Sequence, residues 1–594
     1  MSASEPVVVL RSESGWIRLS NFQRELRANS AGEVLPVLRE VESAALDGKF
    51  VAGFVSYESA NAFDPALATN PASALSLAWF AIFDAASPFV VPPSGGSSGY
   101  DRLKPALQTW NTSLNERIYA EKIAAIHEAI ARGETYQVNF TFPLTAKFDG
   151  EAMTFFARLA ETQRGNYAAF IETDDFAICS ASPELFFELD GETIRCKPMK
   201  GTAARGRWSA EDDARVDELH RSEKNRAENL MIVDMVRNDL GRIAETGTVR
   251  TASLFDIERY PTILQMTSTV EAKTNASVVE IFRALFPSAS ITGAPKVQTS
   301  KIIAALEPEP RGVYCGAIGL IGPSRRARFS VAIRTVQIDK RTSIATFGTG
   351  SGIVWDSDAK SEYAECLAKT AILHAEPRPD FQLLETLRFD FSNDWKFLDG
   401  HLARLAASAR YFGFHFDEIA TRTLLEETAK GAGGTKGLRV RLLVNERGEA
   451  SVETTPTALP GFFQDRPTPA IPFIRAAISN VPVDSNDVFL FHKTTHRVAY
   501  ERAKAACPGV EEVLLVNERG ELTEGTIGNI VLQIGDELLT PPPDCGLLPG
   551  IFRAHLIARG AIREAVLSPH DLMRANAGYL INSVRGWSRL AMRS

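Results

Sequence analysis

The chain is predicted to fold as two α+β domains, and three observations carry that prediction. At 594 residues it exceeds what a single hydrophobic core supports. A polar stretch with two prolines, His374-Ala-Glu-Pro-Arg-Pro-Asp380, follows a helical run ending Ala371-Ile-Leu and reads as a linker. Before it, helix-like segments alternate with short apolar strands, and no internal repeat is present. The expected division is residues 1–373, a linker over 374–380, and residues 381–594.

Within the first domain the elements follow from local pattern. Gly53-Phe-Val-Ser-Tyr-Glu-Ser59 and Phe176-Ala-Ile-Cys-Ser180 are short, apolar and bounded by turns, so both read as strands. Between them, Pro92-Pro-Ser-Gly-Gly-Ser-Ser-Gly99 is flexible by composition. It is expected to be a loop inside the domain, because the strands on either side need partners. Leu114 to Arg132 and Val278 to Leu285 read as helices. Leu185-Phe-Phe-Glu-Leu, Asp190-Gly191 and Thr193-Ile-Arg-Cys read as a hairpin on an Asp-Gly turn. Glu223 to Asp239 is a helix loaded with both signs of charge. Ser290-Ile-Thr-Gly-Ala-Pro-Lys296 reads as a turn leading into a helix, where backbone N–H groups can meet a carboxylate. Arg334 falls in a strand-like Ser330-Val-Ala-Ile-Arg-Thr335, and Gly348-Thr-Gly-Ser-Gly352 can let backbone approach a ligand closely. Glu362, Glu365 and Lys369 recur at i, i+3 and i+7, which aligns them on one helix face.

Composition narrows the function classes. With 45% hydrophobic and 23% charged residues, the chain has the make-up of an ordinary soluble globular protein. A net charge of -8 without a basic run argues against a nucleic-acid partner. No stretch approaches the roughly 18 uninterrupted apolar residues of a membrane span. Met1-Ser-Ala-Ser-Glu-Pro lacks the charged and apolar regions of a secretory leader, so a cytoplasmic location is expected. Six cysteines without a C-x-x-C or metal-ligand spacing are expected to be buried, reduced thiols.

The most informative stretch is Lys197-Pro-Met-Lys200-Gly-Thr-Ala203, two lysines three apart against a Gly-Thr turn. A lysine beside a turn that can hold an anion, with carboxylates suited to a hard divalent cation, is chemistry for a small polyanionic substrate. Alone, a helix with Glu-x-x-Glu-x-x-x-Lys is an ordinary solvated face, and Arg334 alone is an ion pair. Order decides more than any one motif. Gly133-Glu-Thr-Tyr-Gln-Val-Asn139, Pro-Met-Lys-Gly-Thr, Arg-Asn-Asp-Leu, Gly-Ala-Pro-Lys, Arg311-Gly-Val-Tyr314-Cys-Gly316, Ala332-Ile-Arg-Thr335 and Gly350-Ser-Gly-Ile-Val-Trp-Asp-Ser357 follow one another over residues 50 to 372. This series resembles the chorismate-utilising enzymes. Lys200 resembles the aminodeoxychorismate synthase branch, since alanine replaces it in the anthranilate synthase branch. The resemblance implies a large sandwich-like chorismate-binding α/β domain with Mg²⁺ on Glu228 and Glu365, and Glu362 close by. It implies that Tyr314, Arg334 and the backbone of Gly348 and Gly350 hold a substrate carboxylate, with Lys369 also at the substrate and Thr292 against the ring. Glu184 becomes an acid/base candidate, and Lys200 the nucleophile or positioning cation at C2. Gln265 departs from the family, where many members carry histidine; glutamine cannot titrate, so any proton transfer assigned there must come from elsewhere.

After the linker come Glu385-Thr-Leu-Arg388, His401-Leu-Ala-Arg404, Phe491-His-Lys493, Glu524-Gly-Thr-Ile-Gly-Asn529 and Leu547-Leu-Pro-Gly-Ile-Phe-Arg553. This order resembles the fold-type IV pyridoxal-phosphate enzymes, which include 4-amino-4-deoxychorismate lyase and branched-chain and D-amino acid aminotransferases. Pyridoxal phosphate needs a lysine for its aldehyde, an anion at its pyridine nitrogen, and cations and N–H donors for its phosphate. The resemblance assigns these to Lys493, Glu524 and Arg404, with backbone near Ile527 and Ile551. Two departures stand out. The opening hairpin with its Gly-Asp-Gly is expected to be missing or displaced, and Phe552 occupies a position where a phosphate-binding hydroxyl is common.

Together the halves imply amination of chorismate to 4-amino-4-deoxychorismate, then release of pyruvate to leave 4-aminobenzoate, a folate precursor. No Gly-x-Cys-x-Gly turn of the glutamine amidotransferase type is present, so ammonia is expected from a separate glutaminase subunit. The second domain also suggests a homodimer. The alternative is an anthranilate or isochorismate synthase fused to an aminotransferase, and Lys200 is the discriminating residue.

Overall fold

The computed structural model describes residues 4–72, 75–92, 109–112, 114–390, 394–431, 437–457 and 461–593. The expected loop at Pro92–Gly99 lies, beyond Pro92, outside the described residues. The chain divides into two compact units, Met1–Arg205 with Val216–Arg378, and Gly206–Arg215 with Pro379–Ser594.

The first unit is built on one 18-stranded sheet. Its strands bury both faces, and the period-2 alternation of side chains assigns each face a different layer. Ala52 and Phe54 of the Phe50–Val55 strand point inward, against Val8, Leu10, Trp79 and Ile178 of other strands. Val51 and Val55 point outward, onto the Ala31–Leu46, Glu223–Gly241 and Val278–Leu285 helices. On another outward face, Val9, Phe170 and Cys179 meet the Glu116–Ala131 and Ala152–Gln163 helices. Strand-on-strand packing inside and helices outside make a sandwich with helical covers.

Local chemistry sets the element limits. The Leu185–Asp190 and Thr193–Lys197 strands pair antiparallel with Asp190 opposite Thr193, so the two-residue loop is Gly191-Glu192 rather than Asp190-Gly191. Gly191 takes the positive φ of 59° that the first loop position favours. The Val278–Leu285 helix starts on a capping box in which Ser277 and Glu280 satisfy each other's backbone N–H.

Four segments differ from their sequence pattern. The Gly53–Ser59 strand ends at Val55, and Tyr57–Ser59 forms a 3-10 turn. That turn presents Glu58 to the backbone N–H groups of Arg311 and Gly312, at 2.7 and 3.0 Å. Lys200-Gly201-Thr202 lies within the Met199–Ala204 strand rather than a turn, with an irregular register at Gly201, φ 94°. Arg334 sits in a break between the Arg326–Val331 and Thr335–Asp339 strands, at φ 52°, an uncommon conformation for a side chain of its size. Gly348 to Gly352 runs inside the Ile344–Ile353 strand, where it pairs with Asn139 to Pro143.

The second unit holds a four-stranded antiparallel sheet, with the Leu398–Phe412 and Glu418–Gly431 helices, and a mixed eight-stranded sheet. Its first strand, Leu383–Asp390, carries Glu385 and pairs antiparallel with Asp394–Lys396. Leu383, Leu387 and Phe389, on one face of the first strand, pack in one cluster with Leu402 and Leu405 of the first helix. All six cysteines are unpaired; five are buried and Cys507 is half-buried. Among the described residues no helix is long and apolar enough to cross a membrane.

Candidate active sites

In the first unit the Met199–Ala204 strand, the Glu223–Gly241 helix and the Ala359–Thr370 helix bring charged side chains together around the Lys200 amine. Asn229 donates to the Lys200 carbonyl at 3.3 Å, and Gln265 donates to the Gly201 carbonyl at 2.9 Å while accepting from Thr202 at 2.9 Å. Gln265, the departure from the family pattern, therefore braces the strand that carries the lysine. Burial, reinforced by the nearby Lys369 charge, pushes the Lys200 ammonium below its ordinary value against the opposing pull of Glu228, Glu365 and Glu184. Lys197 faces a different set of groups and pairs with Glu258, which also accepts from Tyr260 at 2.7 Å.

Glu184 is 3% exposed, and Ser290 donates to its Oε1 at 2.6 Å. Burial raises its carboxyl to about 7, with the hydrogen bond and the Lys200 charge working the other way. A carboxyl with that affinity can hold a proton near neutral pH and give it up. Thr292 is fully buried and donates to the Ser288 carbonyl at 3.0 Å. Arg334 donates to the Lys369 carbonyl at 3.2 Å. Lys369 donates to the Gly350 carbonyl and pairs with Glu365, both at 2.8 Å.

The glycines of the Ile344–Ile353 strand are close approaches. A Cβ on Gly348 would stand 2.2 Å from the Tyr314 ring, and one on Gly352 2.4 Å from Lys200 Nζ and 2.5 Å from Gln137 Nε2. Gln137 is fully buried, yet neither its Nε2 nor its Oε1 has a hydrogen-bond partner among the described residues. Leaving such an atom unpaired costs about 1–3 kcal/mol. Gln137 appears in a quoted motif, but an orphaned amide beside a lysine is a tertiary fact.

The second unit's site centres on Lys493, whose backbone is stitched to the opening strand by Leu384 N–H donating to its carbonyl at 2.9 Å. Burial lowers its ammonium to about 8, and the Arg404 charge adds to the effect. Arg404 grips the buried Glu385 with two hydrogen bonds, 2.8 and 2.7 Å, and reaches the Pro549 carbonyl at 3.1 Å. His401, one helical turn earlier, meets the same carboxylate at 2.7 Å. Glu524 is fixed by Tyr500 at 2.7 Å, Leu548 N–H at 3.0 Å and Asn529 at 3.1 Å; burial raises its carboxyl to about 7.

Residues 97–375 match the chorismate binding enzyme family and residues 382–591 match amino-transferase class IV. The chain joins a chorismate binding enzyme domain to a class IV aminotransferase domain. Curated relatives of the first part include aminodeoxychorismate synthase component 1 of Klebsiella aerogenes, 39% identical over 45% of this chain and 59% of that protein. Anthranilate synthase component 1 of Streptomyces coelicolor is 36% identical over 45% of this chain and 54% of that protein. The chain thus spans less than two thirds of the length of these relatives. Anthranilate synthase component I from Streptococcus pneumoniae shares the fold, with a TM-score of 0.53 and 21% identity over 63% of this chain and 93% of that one.

A class IV aminotransferase domain implies pyridoxal phosphate, and the residues present fit it. Lys493 offers an amine that loses its proton readily, Glu524 an anion, and Arg404 a cation. Ile551 and Phe552 open the Ile551–Ala558 helix, so their N–H groups lack intrahelical partners and suit a phosphate. The Phe552 side chain is buried against Phe397, Phe463 and Trp587, so only its backbone is offered. The carbonyl of Ile527 accepts from Asn582 at 3.3 Å. In the chorismate binding domain Glu228 and Glu365 both lie near Lys200, whereas Glu362 accepts from Ser357 at 2.8 Å. Among the described residues no three His, Cys, Asp or Glu side chains gather closely enough to hold a metal ion. A two-carboxylate site still suits Mg²⁺, which usually takes one or two carboxylates and fills its shell with water and substrate oxygens.

Proposed function

We propose that the chain makes 4-aminobenzoate from chorismate in two steps, amination to 4-amino-4-deoxychorismate and elimination of pyruvate. The observation that carries this reading is Lys200, enclosed beside Glu184, Glu228 and Glu365 in a chain that also carries the Lys493 and Glu524 pair. The similarity to aminodeoxychorismate synthase component 1 supports the first step.

In the first step, Tyr314, Arg334 and the backbone of Gly348 and Gly350 would hold a substrate carboxylate, with Lys369 adding positive charge and Thr292 against the ring. Glu228 and Glu365 would hold Mg²⁺, which neutralises carboxylate charge when bound, and Glu362 would lie in its outer surroundings. Glu184 would give its proton to the departing hydroxyl, and Lys200 would attack or position at C2. Gln137, with both amide atoms unspent, would contact the ligand next to Lys200. Ammonia would come from a separate glutamine amidotransferase subunit.

In the second step pyridoxal phosphate supplies an electron sink when bound. Lys493 would capture it and then move a proton on its amine. Glu524, oriented by Tyr500 and Asn529, would sit against the pyridine nitrogen. Arg404 and the N–H groups near Ile527 and Ile551 would hold the phosphate.

Purified protein given chorismate, ammonium, Mg²⁺ and pyridoxal phosphate should release 4-aminobenzoate and pyruvate in equal amounts. Anthranilate, or an amino product that forms only with a keto acid, would instead establish the fusion of an anthranilate synthase to an aminotransferase.

A further inference from the structure

Glu184 is enclosed, and an enclosed acid that gives away a proton each turnover needs a way to regain it. Two serines stand in line with it. Ser290 is 6% exposed and donates to Glu184 Oε1 at 2.6 Å; Ser288, half-buried, lies 3.0 Å from Ser290, oxygen to oxygen. Either hydroxyl of that pair can be the donor, so the chain of hydroxyls can reverse its direction. Ser288 is held in turn by Thr292, which donates to its carbonyl at 3.0 Å. The 3-10 turn Ala289–Ile291 sets the two-residue spacing that brings both hydroxyls to one side.

We propose that Ser290 positions the Glu184 carboxyl and, with Ser288, relays a proton to it from solvent. The inference rests on the reading of Glu184 as the acid. The Glu184 proton goes to the hydroxyl that leaves as water. Ser290 passes its own proton to Glu184 Oε1, takes one from Ser288, and Ser288 takes one from solvent water. The carbon–oxygen bond breaks as the bond to ammonia nitrogen or to Lys200 Nζ forms, and nothing is oxidised or reduced. The charged and titratable groups facing Glu184 are Lys200 on the neighbouring strand and Tyr260, whose hydroxyl reaches the Pro183 carbonyl at 3.3 Å and bonds Glu258 behind it. The Met199 N–H also bonds the carboxylate. None of these leads outward through hydroxyls as Ser290 does.

The test is ammonium-dependent amination of chorismate by the full chain with Mg²⁺, as a function of pH and in heavy water. The Ser290 bond favours the carboxylate, so Ser290→Ala should move the alkaline limb of the kcat profile to higher pH and lower kcat roughly tenfold. Ser290→Thr, which keeps a hydroxyl, should restore both. Ser288→Ala leaves the Glu184 bond in place, so the limb should stay put while kcat falls and the solvent isotope effect grows. A Ser288→Ala protein with wild-type kcat and isotope effect overturns the relay, even if Ser290→Ala fails to fold. Wild-type behaviour of Ser290→Ala overturns the positioning role. Glu184→Gln separates the two layers: if it aminates chorismate normally, the acid assignment falls and takes the relay with it, whereas an inactive Glu184→Gln beside normal serine variants removes the relay alone.

Discussion

Lys200 and Lys493 are both enclosed lysines held below their ordinary proton affinity, yet the balance of charges around them differs. Carboxylates crowd Lys200, and burial has to overcome their pull. At Lys493 the Arg404 and Arg497 charges side with burial against the pull of Glu385 and Glu524 and bring it to about 8, whereas at Lys200 only Lys369 sides with burial against three carboxylates. The groups around Lys200 are also loosely committed: Lys369 pairs with a Glu365 side chain that is 54% exposed, and Gln137 is unpaired. Those around Lys493 are already spent on one another, Arg404 and His401 on Glu385, Tyr500 and Asn529 on Glu524. The contrast fits a site that exchanges a polyanion and a cation each turnover against one that keeps its cofactor. An ion pair partly in water is cheap to rearrange, whereas a buried pair stripped of one partner costs several kcal/mol, roughly 3–5.

Breaking the second site should have the largest effect. Lys493→Ala protein, treated with pyridoxal phosphate and borohydride and then dialysed, should show no mass increment from a fixed pyridoxyl group at position 493, where the unsubstituted protein carries one. Its 4-aminobenzoate output should fall by roughly a thousandfold or more. Chorismate should still be consumed, and aminodeoxychorismate should accumulate in the chromatogram. Full 4-aminobenzoate output from Lys493→Ala, or a wild-type protein whose fixed pyridoxyl group maps to another lysine, would end the assignment.

Next comes Lys200→Ala, expected to cut amination by roughly 10²–10⁴-fold with little change in Tm. Cleavage of supplied aminodeoxychorismate should continue, and some anthranilate should appear. Unchanged 4-aminobenzoate output would remove Lys200 from the mechanism.

Glu228→Gln and Glu365→Gln should each lower chorismate turnover and raise the Mg²⁺ concentration needed for it by about tenfold, since a neutral amide is a poorer ligand for a hard cation. Titrating Mg²⁺ in the amination and cleavage assays separately checks this; a Mg²⁺ requirement for cleavage would contradict the division of labour.

The pH dependence sharpens the comparison further. Lys493 is an ammonium below about 8 and a free amine above it, and only the amine captures an aldehyde. Cofactor uptake by the apoprotein, followed by visible absorbance, should therefore speed up from pH 7 to 9 and level off above. A pH-independent rate would put the Lys493 affinity elsewhere.

The smallest effect is expected for Gln265→Leu, which leaves the Gly201 carbonyl and Thr202 hydroxyl unpaired. Stability should drop by about 1–3 kcal/mol, read as Tm, with amination changed only severalfold. Complete inactivation would mean that Gln265 does more than brace the strand.

Much of the architecture is carried by short-range signals and was legible in the chain. The hairpin turning at Gly191, the capped Val278–Leu285 helix and the Glu223–Gly241 helix depend on residues within a few positions of each other. The order of motif blocks carried both families in the same way, since it is a property of the linear chain. Conformations set by distant partners were not legible. Gly348 to Gly352 carries no strand signal of its own because glycine is permissive, yet it lies in a strand, where the lack of a Cβ makes room for Tyr314 and Lys200. Arg334 reads as strand because its neighbours are apolar and β-branched, yet the chain breaks there. The same holds for the partnerships that give the sites their chemistry. Ser290 on Glu184 spans 106 positions and Tyr500 on Glu524 spans 24. Which residues can do chemistry was thus determined by the sequence, through side-chain type and block order. Which of them hold a proton near neutral pH was decided by the tertiary structure alone, because burial and the charges that oppose it arise only when distant segments pack together.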